Sequence, residues 1–261
     1  MTVATTSFRF RYNLLRYLPS LGLFLAVVAV VLLALGPIGW RTGWWHFRVG
    51  FLYLMPWAAY FGVAAAVVSV LALVLGRAVI SRRGVAIGVV ACIAGGLAAY
   101  APVHYYAMRG KYPPIDDITT DTANPPAFVA VLAARLAEGD NPATYGGVGI
   151  AQQQRRAYPD IAPLALEIPP AQAFSHALDA AQRMGWTIVD RDPVTGRIEA
   201  NDRSLWFGFT DDIVIRIAAS GAGSKLDLRS SSRHGRGDFG VNAARIRAYL
   251  AALRQSVGGP S

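Results

Sequence analysis

The first 103 residues contain eight arginines and neither aspartate nor glutamate. This asymmetry constrains the chain more than any other feature, because the same stretch holds three long apolar runs, at about Leu18–Leu35, Phe51–Leu75 and Val85–Val103. Each approaches the ~20 apolar residues with which a helix crosses the hydrocarbon core of a bilayer. Arginine around such runs, and no Asp, Glu, Lys, Arg or His within them, is the pattern of spanning helices oriented by flanking charge. The first run follows Arg16 as a secretory leader would. The stretch "LLALGPIGW" is a poor cleavage site, however, and two more spans follow, so the run reads as an anchor.

The chain of 261 residues carries a net charge of +9, which raises the question of nucleic acid. Location answers it. Residues 104–261 hold the remaining 17 of 25 basic side chains and all 16 acidic ones, so the excess belongs to the apolar half. A nearly neutral polar half is not a phosphate-backbone surface, and nucleic acid is excluded as a partner. The arginines also orient the spans. The N-terminal tail and the second loop ("GRAVISRRG") carry six together, against two in the first loop plus Arg109 and Lys111 after the third span. Tail and second loop are therefore cytoplasmic, and the C-terminal half lies outside.

Coupled transporters and pumps carry charged or histidine side chains at membrane depth, and these runs contain no Asp, Glu, Lys, Arg or His. The lone cysteine, Cys92, lies inside the third run, where it serves as a small packing residue rather than a nucleophile. Gly84, Gly88, Cys92 and Gly96 recur at four-residue spacing. Such a stripe allows close helix approach, either within the three-helix bundle or in a homo-oligomer.

Beyond Ile161 the pattern changes. "IAPLALEI" reads as a strand and "PPAQAFSHALDAAQRMG" as a helix, with Pro at its start and Gly at its end. "WTIVDRD" and "GRIEAND" form a hairpin, "DDIVIRIAA" and "KLDLRSSS" a second, and "DFGVNAARIRAYLAALRQ" a closing helix with Asp238 at its cap. The fold class is a three-span helical membrane bundle plus an α+β domain. Its antiparallel sheet has the order β-α-β-β-β-β-α and is helix-grip-like, with one face under the two helices. Ile198, Ala200, Ile213, Ile215, Ile217, Leu226 and Leu228 alternate toward that face, and Arg197, Glu199, Arg216, Asp227 and Arg229 point away.

The division expected is therefore 1–103 for the spans, 104–160 for a Pro-, Asp- and Thr-rich connection, and 161–261 for the sheet domain. "YPPIDDITTDTANPPAF" opens the connection and is too broken for a helix or strand of its own. It is also too long for an ordinary loop and too apolar for disorder. One short helix is expected in it, capped by Asn124 with Pro125 at its first position. The segment is expected to wrap the polar sheet face, with Asp116, Asp117 and Asp121 meeting Arg216, Arg229 or Arg233.

These blocks, with "AYPDIAPL", "WFGFTDDIVIRI" and "LDLRSSSRHGRGDFGVNAARIRAYL", resemble the bacterial family labelled domain of unknown function 1499, over about residues 104–255. The resemblance implies a bacterial envelope setting and no particular activity, cofactor or catalytic residue. With the arginine count, it places the chain in the bacterial inner membrane, N-terminus cytoplasmic and C-terminal domain periplasmic.

Two constellations carry candidate chemistry. Arg216, Arg229, Ser230, Ser232, Arg233 and Arg236 combine guanidinium and hydroxyl donors before a helix, which suits a phosphate or carboxylate. Asp238 at that cap opposes an anion. Asp116, Asp117 and Asp121 supply oxygen ligands for a hard cation but lack the spacing of an EF-hand, so ion pairing is the main reading. No nucleophile elbow, zinc spacing or Gly-rich phosphate loop is present, and no cofactor is expected. The reading is a non-enzymatic envelope module that binds a protein, lipid headgroup or anionic ligand through the arginine-serine strand. The alternative is a hydrolase or metal-dependent enzyme using the three aspartates.

Overall fold

Each apolar run is helical, and the helical stretch begins before the run does. The structure, a computed structural model, describes residues 2–258. Helix α1 is Thr2–Arg41; a short helix α2 (Phe47–Val49) passes through a π-turn (Gly50–Leu54) into α3 (Met55–Leu75); and α4 is Arg82–Met108. Among the described residues, the stretches long and apolar enough to cross a membrane are Leu15–Arg41, Phe47–Leu75 and Arg82–Met108, of 27, 29 and 27 residues. At 1.5 Å per residue such helices rise about 40 Å, beyond the roughly 30 Å hydrocarbon core. The arginines near their ends, such as Arg41 and Arg82, can therefore stand among headgroups.

The bundle is held by backbone proximity. A Cβ on Gly62 would lie 2.6 Å from the Gly95 carbonyl oxygen, and one on Gly95 would lie 2.7 Å from that of Gly62. The buried seam of α4 runs Gly88, Ala91, Gly95 and Ala98, alternating steps of three and four as a helix of 3.6 residues per turn requires. A strict four-residue stripe rotates off that seam. Of Gly84, Gly88, Cys92 and Gly96, only Gly88 is buried, and Gly96 has nothing within 4 Å of where a Cβ would stand.

The chain divides into two compact units, Met1–Met108 and Arg109–Ser261. The second is built on a six-stranded antiparallel sheet. Its strands are β1 (Asp117–Thr119), β2 (Leu164–Leu166), β3 (Thr187–Asp192), β4 (Arg197–Arg203), β5 (Thr210–Ser220) and β6 (Gly223–Ser232). They lie in the order β1-β6-β5-β4-β3, and β2 shares the outer edge of β6 with β1. Ile198, Ala200, Ile213, Ile215, Ile217, Leu226 and Leu228 all enter one core with two helices, numbered α7 (Pro170–Arg183) and α8 (Val241–Gly258) in chain order. Trp186 stacks on Tyr249 at 5.0 Å, and the Tyr249 hydroxyl donates to the Ala177 carbonyl, tying the two helices together. The alternation, the two hairpins and both helices follow the sequence pattern.

The connection between membrane and sheet, residues 112–160, is more ordered than its composition predicts. It contributes β1 and two helices, α5 (Leu132–Glu138) and α6 (Gly147–Ala157). The helix expected at Pro125 begins seven residues later. Asn124 does not cap it: its N–H donates to Asp121 and its carbonyl accepts from Arg216. Glu199 on β4 instead accepts the N–H groups of Val129 and Val131 at 2.9 Å each, fixing those residues on the sheet. Phe128 and Val131 pack there against Val214. We call residues 112–160 the strap.

Candidate functional site

The period of two in a strand separates residues that look adjacent in sequence. On β6, Asp227, Arg229 and Ser231 face the strap, whereas Ser230 and Ser232 turn to α8. The arginine-serine constellation therefore does not converge on one ligand. Ser230 donates to the Asn242 side-chain oxygen at 2.6 Å, and the Asn242 amide donates to Ser232 Oγ and to the Asp116 carbonyl at 3.0 Å. These serines lock β6 to α8 and β1. Asp238 works as the expected cap, accepting from the backbone of Gly240 and Asn242, and burial raises its carboxyl above the ordinary value.

Arg229 is 2% exposed. Its Nε and Nη2 donate to the two carboxylate oxygens of Asp117 at 2.9 and 2.7 Å, and it further donates to the carbonyls of Pro126 and Ala143. The ring of Phe128 lies 4.5 Å below its guanidinium. Arg233 forms a fork on Asp212 at 2.9 and 2.8 Å and reaches Glu138. Arg216 donates to Asp227, Asp121 and the Asn124 carbonyl. All three arginines are thus engaged, and only Arg236 of the predicted set is exposed.

The three aspartates do not gather either. Asp117 belongs to Arg229. Asp121 accepts from the backbone of Ala123 and Asn124 and from Lys225 and Arg216. Burial would raise its carboxyl, but these donors hold it below the usual value. Asp116 takes the Asn141 amide at 2.7 Å, and burial, followed by the neighbouring Asp117 charge, pushes its carboxyl up to about 6. Among the described residues, no group of three or more His, Cys, Asp or Glu side chains is placed to hold a metal ion.

The structure adds residues that the sequence did not mark. Arg135, in α5, is fully buried and donates to Asp212, to Ser231 Oγ and to the carbonyls of Pro142, Ser231 and Ser232. Gln154, in α6, is 1% exposed. Its amide accepts from the Thr119 N–H and donates to the Thr119 carbonyl, so it completes the free edge of β1 as another strand would. A basic side chain amid "VLAARLAEG" was a signal of a kind, since a buried arginine needs a carboxylate; Gln154 carried none.

Outside this layer lies a groove of about 670 Å³. Phe128, Leu132, Tyr145, Val148 and Ala151 form its apolar wall, Arg229 lies at one side, and Arg155 joins the lining. Arg155 is exposed and donates one bond, to Thr122 Oγ1. Tyr145 leans toward Gln154 and Arg229; burial, helped by the Asp117 charge, raises its phenol to about 12. The groove is open, apolar at its base and cationic at its edge.

Residues 117–253 match the family described as "Protein of unknown function (DUF1499)". That is just over half of the chain. The chain belongs to this family. The matched residues run from β1 into α8, so the family's unit includes most of the strap as well as the sheet, and the three membrane helices precede it. No curated protein matches the chain.

Proposed function

We propose that this DUF1499 protein is a non-enzymatic binding module of the bacterial cell envelope, held in the inner membrane with its Arg109–Ser261 unit outside the cytoplasm. The arginine asymmetry of the spans supports that orientation, and a C-terminal reporter active only outside the cytoplasm reads it. The binding surface is the groove on the strap. Its ligand is a molecule with an apolar body and an anionic end, the body against Phe128 and Val148 and the charge toward Arg155.

The observation that carries this reading is the contrast between the groove and the polar layer beneath it. The candidate acids and bases of that layer are engaged with one another, whereas Arg155 retains donors at the edge of an apolar cleft. Arg216, Arg229 and Arg233 then serve the site by holding the strap that forms it. The enzymatic alternative requires Asp116, Asp117 and Asp121 to act together, and each faces different partners.

Photo-cross-linking of the full chain with a diazirine-bearing palmitate tests the reading, with background labelling of the spans as internal standard. Labels should map to the Phe128–Val148 stretch. Val148→Trp, at a position 71% exposed, fills the groove and should remove them. Arg155→Gln should weaken labelling roughly fivefold, the worth of one exposed charge contact of about 1 kcal/mol. Undiminished labelling in Val148→Trp would overturn the proposal.

A further inference from the structure

The membrane unit contains a second cavity, of about 330 Å³, where α1, α4 and the loop between α3 and α4 meet. Arg16, Ser20, Ser81 and Arg83 supply its polar lining, and Val79 and Ile87 part of its apolar lining. Arg16 stands two residues before the first apolar run, from about Leu18, and Arg83 two residues before the third, from about Val85. Both therefore lie at the entry to a span, on the same side of the membrane. Both are exposed, and neither has an ion pair among the described residues. No carboxylate side chain occurs anywhere in residues 1–103, so the unit cannot neutralise them itself.

We propose that this cavity is a binding site for an acidic phospholipid, with the phosphodiester between Arg16 and Arg83. The chemistry fits on three counts. Guanidinium forks suit phosphate oxygens through paired charge-assisted bonds. The site lies at a span end, where the phosphates of a bilayer are found, and basic pockets between helices on the cytoplasmic side suit anionic headgroups. The apolar side chains beside the arginines, Val79, Ile80 and Ile87, offer a surface to the first methylenes of the acyl chains. Ser81 Oγ already accepts the Gly84 N–H, so the helix end is capped; the arginines, with the Ser20 hydroxyl, hold the anion.

Native mass spectrometry of the full chain, released from detergent after incubation with phosphatidylglycerol or phosphatidylcholine, tests the site. Phosphatidylglycerol should be retained as a discrete adduct and phosphatidylcholine should not. Arg16→Gln with Arg83→Gln should lower retention about tenfold, as loss of charge-assisted contacts to one anion predicts. Arg41→Gln with Arg48→Gln, on the opposite side, should leave it unchanged. Ser20→Phe blocks the cavity and keeps both charges, so it should also abolish the adduct even if the double glutamine variant folds poorly. Competition by glycerophosphate, equal to that by the intact lipid, would show that a free phosphate ester suffices and overturn the lipid assignment. Equal retention of both lipids, or equal loss in the two glutamine pairs, would reduce the site to general surface charge and overturn the proposal.

Discussion

Replacing Arg229 by methionine should cost the Arg109–Ser261 unit about 3–5 kcal/mol, the penalty for stranding one member of a buried ion pair. What the change leaves behind sets that figure. Asp117, 8% exposed, loses two guanidinium bonds, and the carbonyls of Pro126 and Ala143 lose their donors. Asp117→Leu strands the opposite charge on Arg229 and should cost a similar amount. The double variant removes both charges, and apolar replacement of a buried pair is often close to neutral. It should therefore be more stable than either single variant. In a unit of 153 residues, each kcal/mol moves the melting temperature by about 2–4 °C, so the single variants should fall by roughly 6–20 °C. Thermal unfolding of the full chain in detergent, read by protease susceptibility of the strap, measures this. Salt should change it little, since buried pairs are poorly screened. Single variants within about 1 kcal/mol of the parent, or losses that add in the double variant, would refute the reasoning, because they would mark the pair as a surface contact.

Asp116 gives a pH signature. Its carboxyl titrates near 6 when folded and 3.8 when free. Between those values the folded chain keeps a proton that the unfolded chain has released, so stability falls as pH rises through that window. Asp116→Asn, whose amide oxygen can still accept from Asn141, should flatten this fall when melting is compared at pH 4 and pH 7; an unchanged slope would refute the assignment. In the membrane unit, Gly62→Ala and Gly95→Ala should each destabilise by about 1–3 kcal/mol through overpacking, whereas Gly96→Ala, facing open space, should not. Monodispersity and melting in detergent measure the difference, and an equal effect at Gly96 would place a helix partner on that outer face.

Much of the architecture was legible because its signals are local. Apolar length marked three spans, and alternation over Ile213–Ile217 and Leu226–Leu228 marked both the strands and their buried face. The strap was legible in part: its apolar content and aspartates indicated a segment laid against basic strands. Its two helices and β1 were not. A three-residue strand such as Asp117–Thr119 has no periodicity to read, and Glu199 holds Val129 and Val131 out of the helix that Asn124 and Pro125 announce. The candidate site was the least legible part. Arginines and serines adjacent on β6 look like one constellation, yet the pleat sends them to opposite faces.

The sequence by itself determined the membrane region, the sheet and its two covering helices, because each rests on a repeat within one segment. The tertiary structure decided what the charges are for. Asp117 meets Arg229 across 112 positions, Arg135 meets Asp212 across 77, and Thr119 meets Gln154 across 35. A buried charge or amide is tolerated only when a partner at hydrogen-bond distance offsets its lost hydration. Which distant residue supplies that partner depends on how the strap crosses the sheet, and no local pattern encodes that path.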